Sequence, residues 1–232
     1  MAEKVIMAIG GHVGDAELSS GGTLATLALK GWKVVTLALT GGERGNPPHM
    51  TVADYRVQKE AEAHVFAEKL NGEAVILDYV DGELPDNEEV RLQVAAAIRK
   101  YKPKVLLTHW KNSMHKDHER THKIVKDAQF YAGLASFEME QPAHYASGPY
   151  YAENWEDSVG FVPYTYMEVS EEGFELWKEA IQLHWFTVNS KSFKYAEYYQ
   201  SLMKTNGYLA RKQYAEAFAV DELAKKHIIS EF

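Results

Sequence analysis

The first half of the chain alternates short apolar runs with longer amphipathic segments. Four apolar runs, rich in branched residues and bounded by polar or glycine positions, predict buried β-strands: Val5–Ile9, Val34–Leu39, Ala74–Leu77 and Val105–Thr108. Three segments between them have apolar residues at three- and four-residue spacing and predict helices: Gly22–Lys30, Val52–Leu70 and Glu88–Tyr101. This alternation predicts an α/β three-layer sandwich around a mainly parallel, Rossmann-like sheet.

Aromatic residues become frequent after about residue 145. The alternation in Phe161–Val169 predicts a further strand. Helical patterns follow at Glu171–Leu183, Phe193–Thr205 and Ala210–Phe218. No linker rich in Ser, Gly or Pro and no repeat interrupts the chain, so we expect a single domain over residues 1–232.

Composition excludes several classes of protein. The 232 residues are 46% hydrophobic and 25% charged, which is ordinary for a globular protein. The net charge of −8 argues against non-specific binding to nucleic acid or anionic lipid. Without cysteine, the chain has no disulfide, thiolate metal site or cysteine nucleophile. Because there is neither a long apolar run nor a signal-peptide pattern, we expect a soluble, cytoplasmic protein that avoids membranes.

Polar residues follow each of these four strands at its carboxyl end, where open parallel sheets bind ligands. His, Asp or Glu stands there beside glycine or other polar loop residues: His12–Glu17, Gly41–Asn46, Asp78 with Asp81, and His109 with His115–His118. One such loop is ordinary turn chemistry. Four of them together predict the rim of an active site.

A metal site is one interpretation of these loops. His12 and Asp15 can converge across a tight turn, and His118 at a helix start can supply a third ligand. Two imidazoles and one carboxylate with an open position suit a catalytic zinc or another divalent ion. Alternatively, Asp15 caps a helix and His118 is a surface residue.

Two rival motifs are weaker. His118–His122 fits the metalloprotease pattern H-E-x-x-H, but the longer extension is missing and the strand–helix alternation suits a zincin poorly. His122 is therefore better explained as a helix-surface residue or a support for its neighbours. The glycine-rich loops match neither G-x-G-x-x-G nor the P-loop pattern, so we do not expect a nucleotide site.

With these motifs the chain resembles the PIG-L/LmbE family of zinc-dependent de-N-acetylases. The family's His-Pro-Asp-Asp-x-Glu corresponds to His12–Glu17, and its His-Pro-Asp-His corresponds to His115–His118. Supporting matches are Gly21–Ala25, Thr40–Gly45, Arg56 with Glu60, Asp81-Gly82 and Tyr214–Phe218. The resemblance covers about residues 4 to 218 and implies an LmbE-like fold. It implies a hydrolase that cleaves a C–N bond and so removes an acetyl group from an N-acetylated sugar, sugar conjugate or similar small amide. The resemblance and the aromatic-rich tail together predict a homo-oligomer.

The resemblance also implies roles for individual residues. His12, Asp15 and His118 correspond to the zinc ligands. His115 corresponds to the imidazole that stabilises the oxyanion of the tetrahedral intermediate, and Asp117 to the carboxylate that orients this imidazole.

Substrate contacts are predicted at three further positions. Glu43 and Arg56 stand where the family pattern leads us to expect contacts with the substrate or with loops of the protein. Trp110 directly follows the fourth strand and is a candidate for stacking on a sugar ring, with core packing as the alternative.

The chain departs from the family at Gly14, which stands where the family has the general-base Asp. Val13 and Lys116 also replace the two prolines of the motifs. General-base catalysis typically contributes about 10²–10⁴-fold, and glycine cannot accept a proton.

Three outcomes follow from this departure. Another carboxylate takes over, with Glu43, Asp81 and Asp117 as the candidates by strand-end position. Alternatively, the substrate needs less activation. In the third case the protein binds metal and a sugar-like ligand without turnover, and an Asp installed at position 14 is then expected to create activity.

Overall fold

One seven-stranded sheet runs through the computed structural model, which describes residues 3–226. The strands are β1 (Val5–His12), β2 (Lys33–Thr40), β3 (Glu73–Tyr79), β4 (Val105–His109), β5 (Ser147–Ala152), β6 (Thr165–Val169) and β7 (Tyr214–Ala219). Their order is β3-β2-β1-β4-β5-β7-β6. The first five strands pair in parallel, and β7 is antiparallel to both β5 and β6. The prediction of a mainly parallel α/β sheet is confirmed.

Helices cover both faces of the sheet. They are α1 (Asp15–Ser19), α2 (Gly21–Leu29), α3 (Val52–Lys69), α4 (Glu88–Tyr101), α5 (Lys116–Gly133), α6 (Glu171–Ala180), α7 (Trp185–Asn189) and α8 (Tyr195–Leu209). One core cluster joins the sheet to α2, α6 and α8, and a second joins it to α4 and α5. This arrangement is the predicted three-layer sandwich. No helix among residues 3–226 is long and apolar enough to cross a membrane.

β1 lies in the middle of the parallel part and positions the site. All eight of its residues are buried, because β2 and β4 flank it and helices cover both of its faces. This explains why its sequence is a continuous apolar run rather than an alternating one. The strand ends at His12, so its last side chain points into the region beyond the sheet.

The predicted helix over Ala210–Phe218 is wrong, since its second half is β7. The sequence Tyr-Ala-Glu-Ala-Phe-Ala is rich in alanine, which favours helices in isolation. Here the segment lies between β5 and β6 and is almost fully buried, so tertiary pairing overrides the local preference. β5, which begins with Ser147 and contains Gly148-Pro149, was not predicted.

The turn between β1 and α1 depends on glycine. Gly14 has φ 105°, a conformation that side-chain-bearing residues rarely adopt. Its N–H donates to Glu17 Oε2 at 3.1 Å, which holds the start of α1. A Cβ at this position would lie only 2.6 Å from Cζ of Phe186 in α7. Both the backbone and the packing therefore exclude a side chain at position 14.

We predict that Gly14→Asp lowers the free energy of unfolding by roughly 2–5 kcal/mol, because strain and overpacking add. Gly31→Asp is the matched control: Gly31 also has a positive φ, 79°, but a Cβ there would contact nothing within 4 Å. We expect this control to cost only about 1–2 kcal/mol. Urea unfolding of both variants, alone and in a Phe186→Ala background, measures the difference. Equal losses for the two glycine substitutions would contradict the role of Phe186.

Candidate active site

A cavity of about 1020 Å³ opens beyond the carboxyl ends of the parallel strands. Titratable side chains line its floor: His12, Asp15, Asp81, His115, His118 and Glu156. Aromatic side chains line its walls: Tyr55, Trp155, Trp185, Phe186, Tyr195 and Tyr199. The cavity thus combines groups for chemistry with apolar surfaces for binding.

Three atoms at the floor face one another at nearly equal distances. His12 Nδ1 lies 3.1 Å from Asp15 Oδ2, His118 Nε2 lies 3.3 Å from the same oxygen, and the two nitrogens are 3.2 Å apart. In a tetrahedral site with bonds of about 2.0–2.1 Å, the ligand atoms lie about 3.3 Å apart. The spacing of these three atoms therefore fits a metal ion.

Asp157 determines which nitrogen of His118 faces this triangle. Its Oδ1 lies 3.0 Å from Nδ1 of His118, and its Oδ2 lies 2.8 Å from Nδ1 of His109. Because a carboxylate accepts, both Nδ1 atoms carry the proton and the Nε2 atoms hold free electron pairs. His109 Nε2 and His118 Nε2 both lie near Asp15 Oδ2, at 3.1 Å and 3.3 Å, but the backbone N–H of Gly11 donates to His109 Nε2 at 3.1 Å. Asp157 was missed in the sequence, since no motif marks it.

The far side of His12 faces two further carboxylates. His12 Nε2 lies 3.2 Å from Asp81 Oδ1 and 3.5 Å from Asp117 Oδ2. This nitrogen is buried, and neither contact has the geometry of a hydrogen bond. Carboxylates on this side favour a proton on Nε2 and leave Nδ1 free for a cation.

The predicted contact between the carboxylate of Asp117 and His115 needs correction. The Asp117 carboxylate faces His12 and accepts the N–H of Gly82 at 2.7 Å. Its backbone N–H, rather than its side chain, donates to His115 Nδ1 at 3.2 Å. The reason is geometric, since His115 caps the first turn of α5 while the Asp117 side chain points inward.

The electrostatics of the floor favour a bound cation. Burial alone would raise the pKa values of Asp15, Asp81 and Asp157, but neighbouring imidazoles hold all three below the usual range. Burial alone would lower the pKa of His118, but the charges of Asp15 and Asp157 raise it to about 10. The carboxylates therefore stay ionised and demand positive charge, which protons or a divalent ion can supply.

Other groups of possible ligands overlap this triangle. Among the described residues, three sets have ligand atoms within 4.8 Å of one another: His12 with His115 and His118, Asp15 with His109 and His118, and His12 with Asp81 and Asp117. The free electron pair of His109 is taken by the N–H of Gly11. We therefore regard His12, Asp15 and His118 as the set that best fits a metal.

His115 lies at the rim of the same floor. Its ring is 4.5 Å from that of His12, edge to face, and it lines the cavity. Burial lowers the pKa of His115, and the nearby rings of His12 and His118 lower it further. A half-buried imidazole at this place can donate to an oxygen that develops negative charge.

Glu156 is a carboxylate that lines the cavity and that no sequence motif marks. Its Oε2 lies 3.7 Å from His118 Nδ1, and among residues 3–226 neither of its oxygens accepts a hydrogen bond. Burial raises its pKa above the ordinary value. By contrast, Asp81 Oδ2 accepts the N–H of Arg44 at 3.0 Å, and its other oxygen faces His12.

Two predicted substrate contacts lie behind the cavity wall. Glu43 is almost fully buried and accepts the N–H of Asp81 at 2.9 Å. Arg56 donates to the carbonyl oxygens of Tyr79 at 3.0 Å and Leu77 at 3.1 Å. Glu43 and Arg56 therefore hold the loop after β3 and the end of that strand in place, as in the alternative of loop contacts, and neither residue lines the cavity.

Trp110 is also corrected, because it packs away from the cavity. Its ring forms a small core with Tyr151 and Phe161, and its Nε1 donates to Val159 O at 3.1 Å. The alternative of core packing is the right one.

In the H-E-x-x-H pattern, His122 is buried against Tyr151, and its Nδ1 lies 3.0 Å from His109 O, so it does not join the triangle.

The chain is also similar to proteins of known family. The chain matches the GlcNAc-PI de-N-acetylase (PIG-L) family over residues 7–129. It is 31% identical over 139 residues to a diacetylchitobiose deacetylase from Thermococcus kodakarensis. That match covers 58% of this chain and 52% of the archaeal protein, so it spans about half of the relative's length.

Solved structures share the fold along the whole chain. A conserved protein from Thermus thermophilus has a TM-score of 0.80 at 25% identity and covers 96% of both chains. The 4-carboxy-2-hydroxymuconate hydratase from Pseudomonas putida has a TM-score of 0.86 at 19% identity and covers 99% of both chains. Because one of these structures is a hydratase, the shared fold does not by itself identify a reaction.

The family profile covers more than half of the 232 residues and includes both histidine motifs of the site. The LmbE-like resemblance and fold are confirmed. The chain belongs to the PIG-L family of GlcNAc-PI de-N-acetylases.

Proposed function

We propose that this protein is a metal-dependent hydrolase that removes an acetyl group from an N-acetylated sugar, sugar conjugate or similar small amide. The observation that carries the proposal is the triangle of His12 Nδ1, Asp15 Oδ2 and His118 Nε2 at the floor of a large cavity. Family membership and the deacetylase relative support the same reaction class.

His12, Asp15 and His118 would hold the metal, with zinc as the ion proposed. Two imidazoles and one carboxylate also suit other divalent transition metals. When bound, such an ion polarises a carbonyl and lowers the pKa of its water to about 7. Asp157 and Asp81 orient the two imidazoles from behind.

His115 is proposed to stabilise the negative charge that develops on the amide oxygen. Its ring shares the cavity floor with His12. A donor fixed at the position where charge develops typically contributes about 10²–10³-fold to the rate. The Asp117 backbone N–H, which donates to His115 Nδ1, directs the opposite nitrogen toward the cavity.

Glu156 is proposed as the proton acceptor that replaces the carboxylate missing at position 14. Its oxygens are free of hydrogen bonds in the described chain, and it lies beside His118 at the cavity floor. Asp81 is less suited, since both of its oxygens are engaged. Because Phe186 fills the space beside Gly14, the base must act from another wall of the cavity.

The aromatic walls suit a ligand with apolar faces. Trp155, Trp185 and Tyr195 present rings to the cavity, and stacking on such rings is a common way to bind a pyranose. The cavity volume of about 1020 Å³ lies at the upper end of the range for small-molecule sites. This size accommodates a sugar that carries a further group.

The net charge of −8 is unfavourable for nucleic acid and anionic lipid, and we infer that neither is a partner. We infer a cytoplasmic protein because the sequence has neither a signal-peptide pattern nor a long apolar run. We infer a homo-oligomer from the family resemblance and from exposed aromatic residues such as Tyr145 and Tyr208.

The test is acetate release from N-acetylglucosamine, diacetylchitobiose and simple N-acetyl amides, with the protein reconstituted separately with Zn²⁺, Co²⁺, Mn²⁺ and Ni²⁺. We expect release with at least one metal, and its loss after chelation. If the metal and diacetylchitobiose both bind but no acetate appears, the protein is a binding protein on the same scaffold. That result would overturn the proposed reaction.

For Glu156→Gln we predict a loss of kcat of about 10²–10⁴-fold with an unchanged metal content, since only the proton acceptor is removed. Glu83→Gln is the control, because this exposed carboxylate pairs with Arg44 at the cavity edge. Acetate release and metal analysis on the same samples separate the two effects. A Glu156→Gln variant with wild-type kcat would eliminate this residue as the base.

A further inference from the structure

Lys59 is a buried lysine that faces the cavity without a partner. It lies on the inner side of α3, is only 6% exposed and lines the cavity. Within residues 3–226, no carboxylate oxygen lies within 4.0 Å of its Nζ, and no hydrogen bond engages it. Lysine is rarely buried to this degree unless it is paired.

The surroundings place this ammonium group close to the metal triangle. A Cβ on Gly42 would lie 2.9 Å from Lys59 Nζ and also 2.9 Å from His12 Cβ, so these two side chains flank the same glycine. Lys59 Nζ lies 4.5 Å from the ring centre of Phe186 and 5.8 Å from that of Tyr55. The group is therefore held at the cavity floor between aromatic faces.

The carboxylates near Lys59 lie beyond ion-pair distance of its ammonium group. Burial lowers the pKa of Lys59, whereas the charges of four carboxylates raise it: Asp15, Asp81, Glu17 and Glu62. Each of these carboxylates accepts a hydrogen bond from another group, although the second oxygen of Glu62 has no hydrogen-bond partner. Among the described residues none of the four places a carboxylate oxygen within 4.0 Å of Lys59 Nζ.

An ammonium group removed from water is unfavourable until an anion pairs with it. Aromatic faces compensate for this loss only in part. The open side of Lys59 is the cavity, so an acid group of a ligand can form the direct ion pair that the protein does not supply. Two other cations line the cavity, but Arg44 pairs with Glu83 and Lys191 is exposed. One buried ammonium group suits a singly charged carboxylate, whereas phosphate is usually held by several donors or a bidentate arginine.

We propose that Lys59 anchors a carboxylate of the substrate, so that the substrate is an N-acyl compound that also carries an acid group. This inference rests on the proposed function for the acyl group, but the acid group is a separate feature of binding. Lys59 is here a specificity-determining residue, and the metal triangle and His115 act on the amide.

The probes are three N-acetyl amino acids and their neutral primary amides: N-acetylglycine, N-acetyl-β-alanine and N-acetyl-4-aminobutyrate. Their carboxylates lie at increasing distance from the acetamide, so the series also measures the span between the two subsites. Binding is measured by calorimetry on the zinc-loaded protein and again after chelation. In the measurement after chelation the carboxylate cannot bind to the metal, so any remaining preference comes from the protein.

For wild-type protein we expect at least one carboxylate to bind about tenfold or more tightly than its amide, the usual effect of a charge-assisted hydrogen bond. Lys59→Met keeps the apolar bulk and is expected to bring this preference to within about twofold. Lys59→Arg retains the charge, and we expect it to keep part of the preference for the carboxylate. Lys191→Met is the control, since Lys191 lines the same cavity but is exposed. We expect this variant to prefer the carboxylate over the amide as strongly as the wild-type protein does.

The outcomes separate this inference from the proposed function. A carboxylate preference that persists in Lys59→Met, or that is absent from the wild type, overturns the anchor, even if acetate is released from neutral sugars. A preference that depends on Lys59 supports the anchor, even if no acetate is released and the proposed reaction fails. Circular dichroism on Lys59→Met shows whether the variant is folded, and Lys59→Arg provides the second variant if it is not.

Discussion

The carboxylate of Asp15 is the contact on which the site depends. Its Oδ2 accepts the N–H of His12 at 2.8 Å and also faces imidazole nitrogens of His12, His109 and His118 within 3.3 Å. One oxygen cannot satisfy three imidazoles by hydrogen bonds alone. Charge is therefore concentrated at the end of the central strand, and a cation between Asp15 and two of the imidazoles is the simplest way to balance it.

Asp157 and Asp81 make this arrangement specific. Each lies behind an imidazole and favours a proton on the nitrogen that points away from Asp15. Asp157 bridges His118 and His109 and orients both rings, but the Nε2 of His109 accepts the N–H of Gly11, so His109 supports the site rather than joining it. The electron pairs that remain free are those of His12 Nδ1 and His118 Nε2.

Much of the fold and part of the site could be predicted from the sequence. The apolar runs of β1, β2, β3 and β4 mark a parallel sheet, and the polar loops after them mark the ligand-binding end. The misses have physical causes. β7 is rich in alanine and acquires its strand conformation from its two neighbours, and Lys59 and Glu156 look like ordinary surface charges until the fold buries them. Glu43, Arg56 and Trp110 follow the right strands but point into the supporting layer.

Gly14 shows why a single position can mislead. In the sequence, Gly14 means only that a carboxylate is lost. In the structure, the ring of Phe186 fills the space that a side chain at position 14 would occupy, and Lys59 lies next to this ring. The position that carries an acid in the family pattern here faces an aromatic ring with an ammonium group beside it. An aspartate at position 14 would therefore have to displace Phe186 before it could reach the cavity floor.

The most direct test is a crystal structure of the protein with one equivalent of zinc, with anomalous scattering measured at the zinc edge. The account predicts one strong peak between His12 Nδ1, Asp15 Oδ2 and His118 Nε2. A peak on the other side of His12, beside Asp81 and Asp117, or the lack of any peak at the cavity floor, would contradict it.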